Sequence, residues 1–320
     1  MTDPSLDVPQ RVIALRKTFV TTPTFTLLRT EFERLLALRQ AEIAAGIVGE
    51  ARSIAVIGAS GSGKSTLVAR LLSTTPGVVV DGADGRCDVI SLRIPSPATL
   101  KSVGRAILEA LGFPLKRERT ADAIWEMVRA FLRERRVLFL HLDEAQDIAG
   151  HQTEREKQAV INTLKTLMQH RHWPVGLILS GMPSLQETLN MDGQLARRVT
   201  PIGIPRLSPL VDTPLVTHML GFYTREAGVA CPSGVPLENL SLRLVHAADR
   251  EFGLLIEITI DALQVAMLAE AEALSTAHFA TAFGRRAGCI DGLNPFVVEG
   301  YDRLEVRKLL GRDEPTRGRG

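Results

Sequence analysis

Cysteine is scarce in this 320-residue chain: Cys87, Cys231 and Cys289 lie far apart and form no CxxC. That excludes a disulfide framework and a cysteine-rich zinc site, and it fits a reducing compartment. Aromatic residues make up 5%, with two Trp and two Tyr, too few for a surface built to stack single-stranded bases. No apolar run approaches the ~18 residues a membrane helix needs. The opening MTDPSLDVPQ carries two acids and no basic stretch, unlike a secretory signal. His170 and His172 lie two apart with no ligand spacing around them, so a zinc site is not expected. These absences predict a cytoplasmic protein with no membrane partner. Lysine is scarce too, at 7 of the 38 basic residues, so the places where it is kept stand out.

What is present suits a folded core: 45% hydrophobic residues, 23% charged and a net charge of +2. The length fits one large domain or two modest ones. Residues 1–24 read as irregular and 25–46 as an amphipathic helix ending at Gly46. Short β-branched or Leu-rich runs follow at 53–58, 87–94, 136–142, 175–180 and 199–204. Helical patterns at 64–73, 99–111, 121–134, 155–171 and 183–191 separate them. Strands alternating with helices predict an α/β fold with a parallel sheet covered on both faces. Beyond Pro209 the strand pattern stops, and 212–227, 237–250, 253–273 and 275–286 read as helices. The expected organisation is an irregular segment over 1–24, an α/β nucleotide-binding domain with its leading helix over 25–208, a helical lid over 209–287, and a tail over 288–320. The tail holds a last helix pattern at 301–310. Its NPF at 294–296 and its basic end are open to two readings, partner contact or plain tail.

The strongest chemical signal is GASGSGKS at 58–65. It satisfies G-x-x-x-x-G-K-[ST] between a strand and a helix, the context a phosphate-binding loop requires. Gly58, Gly61 and Gly63 let the backbone of Ala59, Ser60 and Ser62 curl with its N–H groups inward. That nest and the helix start through Thr66 hold phosphate charge. Lys64 would then bridge the β- and γ-phosphates and Ser65 would ligate Mg²⁺; the alternative is a Gly-rich turn with no ligand. Next comes LFLHLDEAQ, an apolar strand ending in two acids. Asp143 there can hold Mg²⁺, and Glu144 can polarise an attacking water. In GLILSGMPSL, Ser180 ends a strand and can meet a terminal phosphate or merely cap the helix after Pro183. In QLARRV, Arg197 or Arg198 can reach a neighbouring subunit's nucleotide, with Arg198 preferred, or form a solvated basic turn.

A P-loop, a DE strand end, a Ser-ended strand and an Arg pair before helices resemble the AAA+ ATPases. HLDEAQDI, LILSGMPSLQETL and QLARRV, with TTPTF before the leading helix and the lid run from Glu251 to Phe279, resemble the TniB/TnsC family of transposition ATPases over residues 11–295. The resemblance implies an AAA+ module with a five-stranded parallel sheet in order 5-1-4-3-2 and a helical lid. It implies a bacterial ATPase using ATP and Mg²⁺ that assembles on duplex target DNA as a ring or helical filament. It also implies recruitment of a DDE transposase and cooperation with a TniQ-like partner. Gly58–Ser65 match its Walker A, Asp143 and Glu144 its Walker B, Ser180 its sensor 1 and Arg198 its finger. Lys101 and Thr120 match its DNA-tracking positions, with Arg105, Lys116, Arg117 and Arg119 beside them. The lid departs from the wider AAA+ pattern: after Gly253 comes Leu254 rather than a sensor-2 arginine, and Arg250 lies one turn away. A secretion motor of the ExeA kind and an initiator or helicase loader are the alternative AAA+ classes.

Charge adds to the DNA expectation. Residues 101–136 hold nine basic and five acidic side chains, a local 9 − 5 = +4 against +2 for the whole chain. A helical face with i,i+4 pairs would account for part of it. Lys116, Arg117 and Arg119 instead crowd an apparent loop.

Overall fold

A computed structural model describes residues 4–80, 82, 85–149, 153–231 and 236–311, with side chains from residue 7. In chain order the larger elements are α1 (Pro4–Lys17), α2 (Pro23–Ala44), β1 (Ser53–Ile57), α3 (Lys64–Thr74), β2 (Val89–Arg93), α4 (Leu100–Ala110), α5 (Ala121–Glu134), β3 (Phe139–Asp143), α6 (Glu154–Met168), β4 (Gly176–Gly181), α7 (Ser184–Asn190), α8 (Gly193–Ala196) and β5 (Val199–Gly203). Then follow α9 (Thr213–Ala227), α10 (Leu237–Ala247), α11 (Phe252–Leu268), α12 (Thr276–Ala287) and the short α13 (Val306–Leu309). By contacts the chain forms two compact units. One is α/β, from 21–60 and 64–204; the other is helical, from 1–20, 61–63 and 205–320.

In the α/β unit the strands pair in parallel in the order β2-β3-β4-β1-β5. This is the 5-1-4-3-2 order that the resemblance implies. The central strands β1, β3 and β4 are buried on both faces, so helices must cover both. Leu140, Leu142, Leu177 and Leu179 are buried in one core with Val103, Ile107, Val128 and Leu164 from the helices. Thr22 caps α2 by accepting from Phe25 N at 3.2 Å, and Pro23 opens its first turn, a pairing that suits a helix start. In α2, Phe32 sets its ring edge-on against Phe139, 5.2 Å away between centroids.

The helical unit contains a correction. Residues 1–24 were expected to be irregular, but Pro4–Lys17 is helix. Val8, Val12 and Leu15 recur at one-face spacing and are buried with Met219, Tyr223, Ile258 and Leu263. Arg11 donates to the Ala227 carbonyl, and Tyr223 Oη donates to Thr18 O at 3.2 Å. The segment after α12 packs onto the same core. Asn294 is buried, its Nδ2 donating to Ala280 O at 2.8 Å, and Phe296 stacks on Phe279 with centroids 5.2 Å apart. Arg243 donates to the carbonyls of Pro295 and Val298 at 2.7 and 2.6 Å. NPF is thus internal packing. The basic end, DEPTRGRG, lies outside the described residues.

Leu15 is fully buried in this core. Leu15→Ala is expected to destabilise the helical unit by about 2–5 kcal/mol, the cost of deleting a buried leucine side chain and leaving a cavity. Urea unfolding checks this through its midpoint. A loss below about 0.5 kcal/mol, typical of a surface change, would mean that α1 is not part of the core.

Candidate functional site

Every parallel strand of the α/β unit ends at one edge of the sheet, and the loops there carry the polar residues. Between β1 and α3, Gly61 and Gly63 adopt φ of 77° and 97°, left-handed angles that a side chain resists. They turn the loop sharply into the first turn of α3, whose N–H groups have no intrahelical acceptor. Lys64 is buried, and its Nζ donates to the carbonyls of Gly58 and Ala59 at 2.9 and 3.0 Å. The ammonium is thereby held over its own loop. Ser62 Oγ is buried with no hydrogen-bond partner among the described residues. A buried hydroxyl without a partner is costly. A polyphosphate in the loop would satisfy it, so these residues fit a nucleotide. Ser60 lies within the loop, and Thr66 follows Ser65 in the first turn of α3.

Opposite the loop, Asp143 ends β3. Ser65 Oγ donates to its Oδ2 at 3.0 Å and Ser180 Oγ to its Oδ1 at 2.5 Å. Burial alone would raise the Asp143 carboxyl, but these two bonds and the Glu144 backbone hold it below the usual range. An ionised carboxylate beside a serine hydroxyl is a hard-oxygen donor set of the kind Mg²⁺ takes. Glu144 follows at φ 54°, a left-handed turn that separates its direction from that of Asp143. Its Oε2 accepts from Gln146 Nε2 at 2.7 Å, and Arg93 at the end of β2 lies 3.8 Å from Oε1. Gln146 Oε1 accepts from Met182 N at 3.0 Å, which fixes the amide so that its NH₂ faces Glu144.

Ser180, the last serine of β4, is fully buried and joined to Asp143 rather than capping α7. It also meets His141 Nε2 at 2.9 Å, and His141 Nδ1 meets Ser91 Oγ at 2.7 Å. Burial pushes the His141 imidazole down to about 4, against the pull of Asp143. Sequence reading missed His141, Ser91, Arg93 and Gln146. One signal was present: a histidine inside an otherwise apolar strand, two residues from Asp143 and so on the same strand face.

Arg198 is engaged within its own chain. Its Nε and Nη2 donate to the two oxygens of Glu50 at 2.9 and 2.8 Å, and Nη1 donates to Gln194 O at 2.6 Å. The Arg198 bonds, with one from Gln169, hold the Glu50 carboxyl below its ordinary value. Arg197 is exposed, with its Nε on Gly193 O at 3.0 Å. The Asp192 side chain caps α8 immediately before them, accepting from Gln194 N and Leu195 N.

Lys101, Arg105, Lys116, Arg117, Arg119 and Thr120 are all exposed. Thr120 caps α5, accepting from Ala123 N at 3.3 Å, and Thr99 caps α4. Trp125 Nε1 donates to Leu100 O at 3.0 Å, tying the start of α5 to the start of α4. Gly104 makes that approach feasible, since a Cβ there would lie 2.6 Å from Ile124. Lys101 and Thr120 therefore stand at adjoining helix ends. Arg105 is drawn off to Glu118 at 2.7 Å, an exposed pair of small value.

Within the helical unit, Leu254 is buried and Arg250 donates through Nε to Leu207 O at 2.7 Å. Gly253 is required by crowding: a Cβ would lie 2.7 Å from Gly61 O, and Leu254 N donates to that carbonyl at 2.8 Å.

A family model described as bacterial TniB protein matches residues 18–209. No curated protein matches the chain. Among solved structures, the Aeropyrum pernix ORC1 protein in complex with DNA is similar, with a TM-score of 0.61 at 14% identity over 91% of this chain and 82% of that one. The ORC2 protein of the same organism, in its ADPNP–ADP complexes, gives 0.59 at 15% identity over 82% and 69%. Cdc6p from Pyrobaculum aerophilum gives 0.52 at 15% over 83% and 68%. At these identities the likeness is one of fold, the AAA+ P-loop module. Among the described residues, no helix is long and apolar enough to cross a membrane, and no His, Cys, Asp and Glu group forms a metal cluster.

Proposed function

Because the chain belongs to the TniB family and carries the AAA+ ATPase module, we propose that it is an ATP-dependent, DNA-binding regulator of DNA transposition in the bacterial cytoplasm. The observation that carries the reading is the meeting of Lys64, Ser65, Asp143 and Glu144 at one sheet edge within a TniB match. When bound, Mg²⁺ would sit on Ser65 and Asp143 and supply charge neutralisation for the polyphosphate. Lys64 binds the terminal phosphates, Glu144 orients and deprotonates the attacking water, and Ser180 donates to the terminal phosphate. Arg198, released from Glu50, or the exposed Arg197 completes the site of a neighbouring copy. Copies then line up on duplex DNA as a ring or filament, recruit a DDE transposase and cooperate with a TniQ-like partner.

The Glu50 pairing supports that order of events. Arg198 has a carboxylate partner in its own chain, so a neighbour's nucleotide has to compete for it. The likeness to ORC and Cdc6 proteins favours a second reading, an initiator or helicase loader. Only the first reading requires a transposase on the DNA-bound assembly.

DNA binding is expected to need ATP, to differ little between sequences and to weaken steeply with salt. One copy offers few phosphate contacts, and alignment multiplies them. Each neutralised phosphate adds roughly −0.9 to the slope of log K against log salt. Lys101→Ala is expected to weaken two unrelated duplexes alike, flatten that slope and leave DNA-free ATPase intact. Fluorescence anisotropy over a salt series measures all three. Equal binding without ATP, or no effect of the substitution, would move the DNA path elsewhere.

A further inference from the structure

A chain of hydrogen bonds crosses three strands at the mouth of the site, and its direction follows from the chemistry of its members. An ionised carboxylate has no hydrogen to give, so Ser180 Oγ is the donor to Asp143 Oδ1. A hydroxyl has a single hydrogen, so the contact between Ser180 and His141 is donated by Nε2–H. In the neutral ring Nδ1 is then bare and accepts from Ser91 Oγ. The order is Ser91 to His141 to Ser180 to Asp143.

Register places these groups together. Ser91 and His141 are paired residues of β2 and β3, and Ser180 follows Leu179, the partner of Leu142, on β4. The three strands thus present their polar residues on one face, where cross-strand neighbours touch. A leucine would suit the strand interior as well as its neighbours do, since burying an imidazole has a cost unless both nitrogens are satisfied. Both are. The group borders a cavity of about 300 Å³ lined by Ser65, Ser91, Arg93, His141 and Asp143.

We infer that His141 is a positioning residue that keeps the single Ser180 hydrogen directed at an anionic acceptor, Asp143 in this structure and, once nucleotide is bound, the terminal phosphate in its place. The Ser180 oxygen is supplied by Nε2–H, so its own hydrogen is directed to an anionic acceptor. Ser91 sets the tautomer that makes this work. The inference rests on the proposed role of Ser180 at the terminal phosphate.

His141→Leu removes both nitrogens at similar size, and His141→Gln returns an N–H donor at nearly the reach of Nε2. Turnover is expected to fall about tenfold in His141→Leu, the rate equivalent of one lost hydrogen bond, with affinity for a fluorescent ATP analogue within about twofold. His141→Gln should recover most of the loss, and Ser91→Ala should fall between. The ¹⁵N signals of the His141 ring, in the full-length protein without nucleotide, should show the Nε2–H tautomer, with a mixture in Ser91→Ala. These spectra and His141→Gln also carry the test if the leucine variant fails to fold. An Nδ1–H tautomer, or a glutamine variant no better than leucine, would overturn the assignment. Ser180→Ala separates the levels. Unchanged turnover there would overturn the role of Ser180 on which the inference rests. Reduced turnover there, with His141→Leu unaffected, would overturn the role of His141 alone.

Discussion

Lys64→Ala leaves a folded protein that has lost its hold on ATP. The ammonium is buried against the Gly58 and Ala59 carbonyls, so the loop is preset around it before any phosphate arrives. Removing it takes away the cation of the cradle and leaves two carbonyls without that donor. A charge-assisted bond contributes about 1.5–3 kcal/mol, so affinity should drop by about 100-fold. The fold should survive, because the sheet and the helices around it do not depend on this side chain. Equilibrium titration with an ATP analogue measures the affinity, and circular dichroism checks the fold. Unchanged affinity in a folded variant would remove the phosphate-binding role from this loop.

Glu144→Gln should separate binding from hydrolysis. The carboxylate is held by Gln146, whose amide is itself oriented by Met182 N. A glutamine at 144 can keep that bond by presenting its carbonyl oxygen to Gln146. Its geometry is therefore retained while its basicity is lost. Turnover should fall by at least ~100-fold, the low end for a positioned base, with ATP affinity little changed. Assemblies on DNA should then persist. Phosphate release measured under single-turnover conditions decides the matter, and a near-normal rate would place the base elsewhere.

These two residues were legible in the sequence because their chemistry is written in contiguous stretches, GASGSGKS and HLDE. The strands were legible for a similar reason: five short apolar runs, each closed by a polar or glycine turn. Most of their ends moved, by up to three residues, as with 136–142 against Phe139–Asp143, because pairing rather than composition decides where a ladder begins. The Ser91–His141–Ser180 chain could not be read, since it depends on the register of strands about 50 and 39 residues apart. The Glu50–Arg198 pair spans 148 positions and leaves no local trace. Helix α1 was hidden by Pro9, a residue that argues against a helix interior. Its burial against α9 and α11 overrides that local signal.

The docking of α1 onto α9 and α11 also sets a timetable for synthesis. The apolar face of Val8, Val12 and Leu15 leaves the ribosome well before its partners, the last of which, α11, ends at Leu268. At about 5–20 residues per second, that interval lasts on the order of 10–50 s. In that time the α/β unit can complete its own sheet, while α1 has at most α9, and not yet α11, to bury against. A nascent chain stalled before α11 should therefore display this segment to chaperones, and release of the full chain should withdraw it.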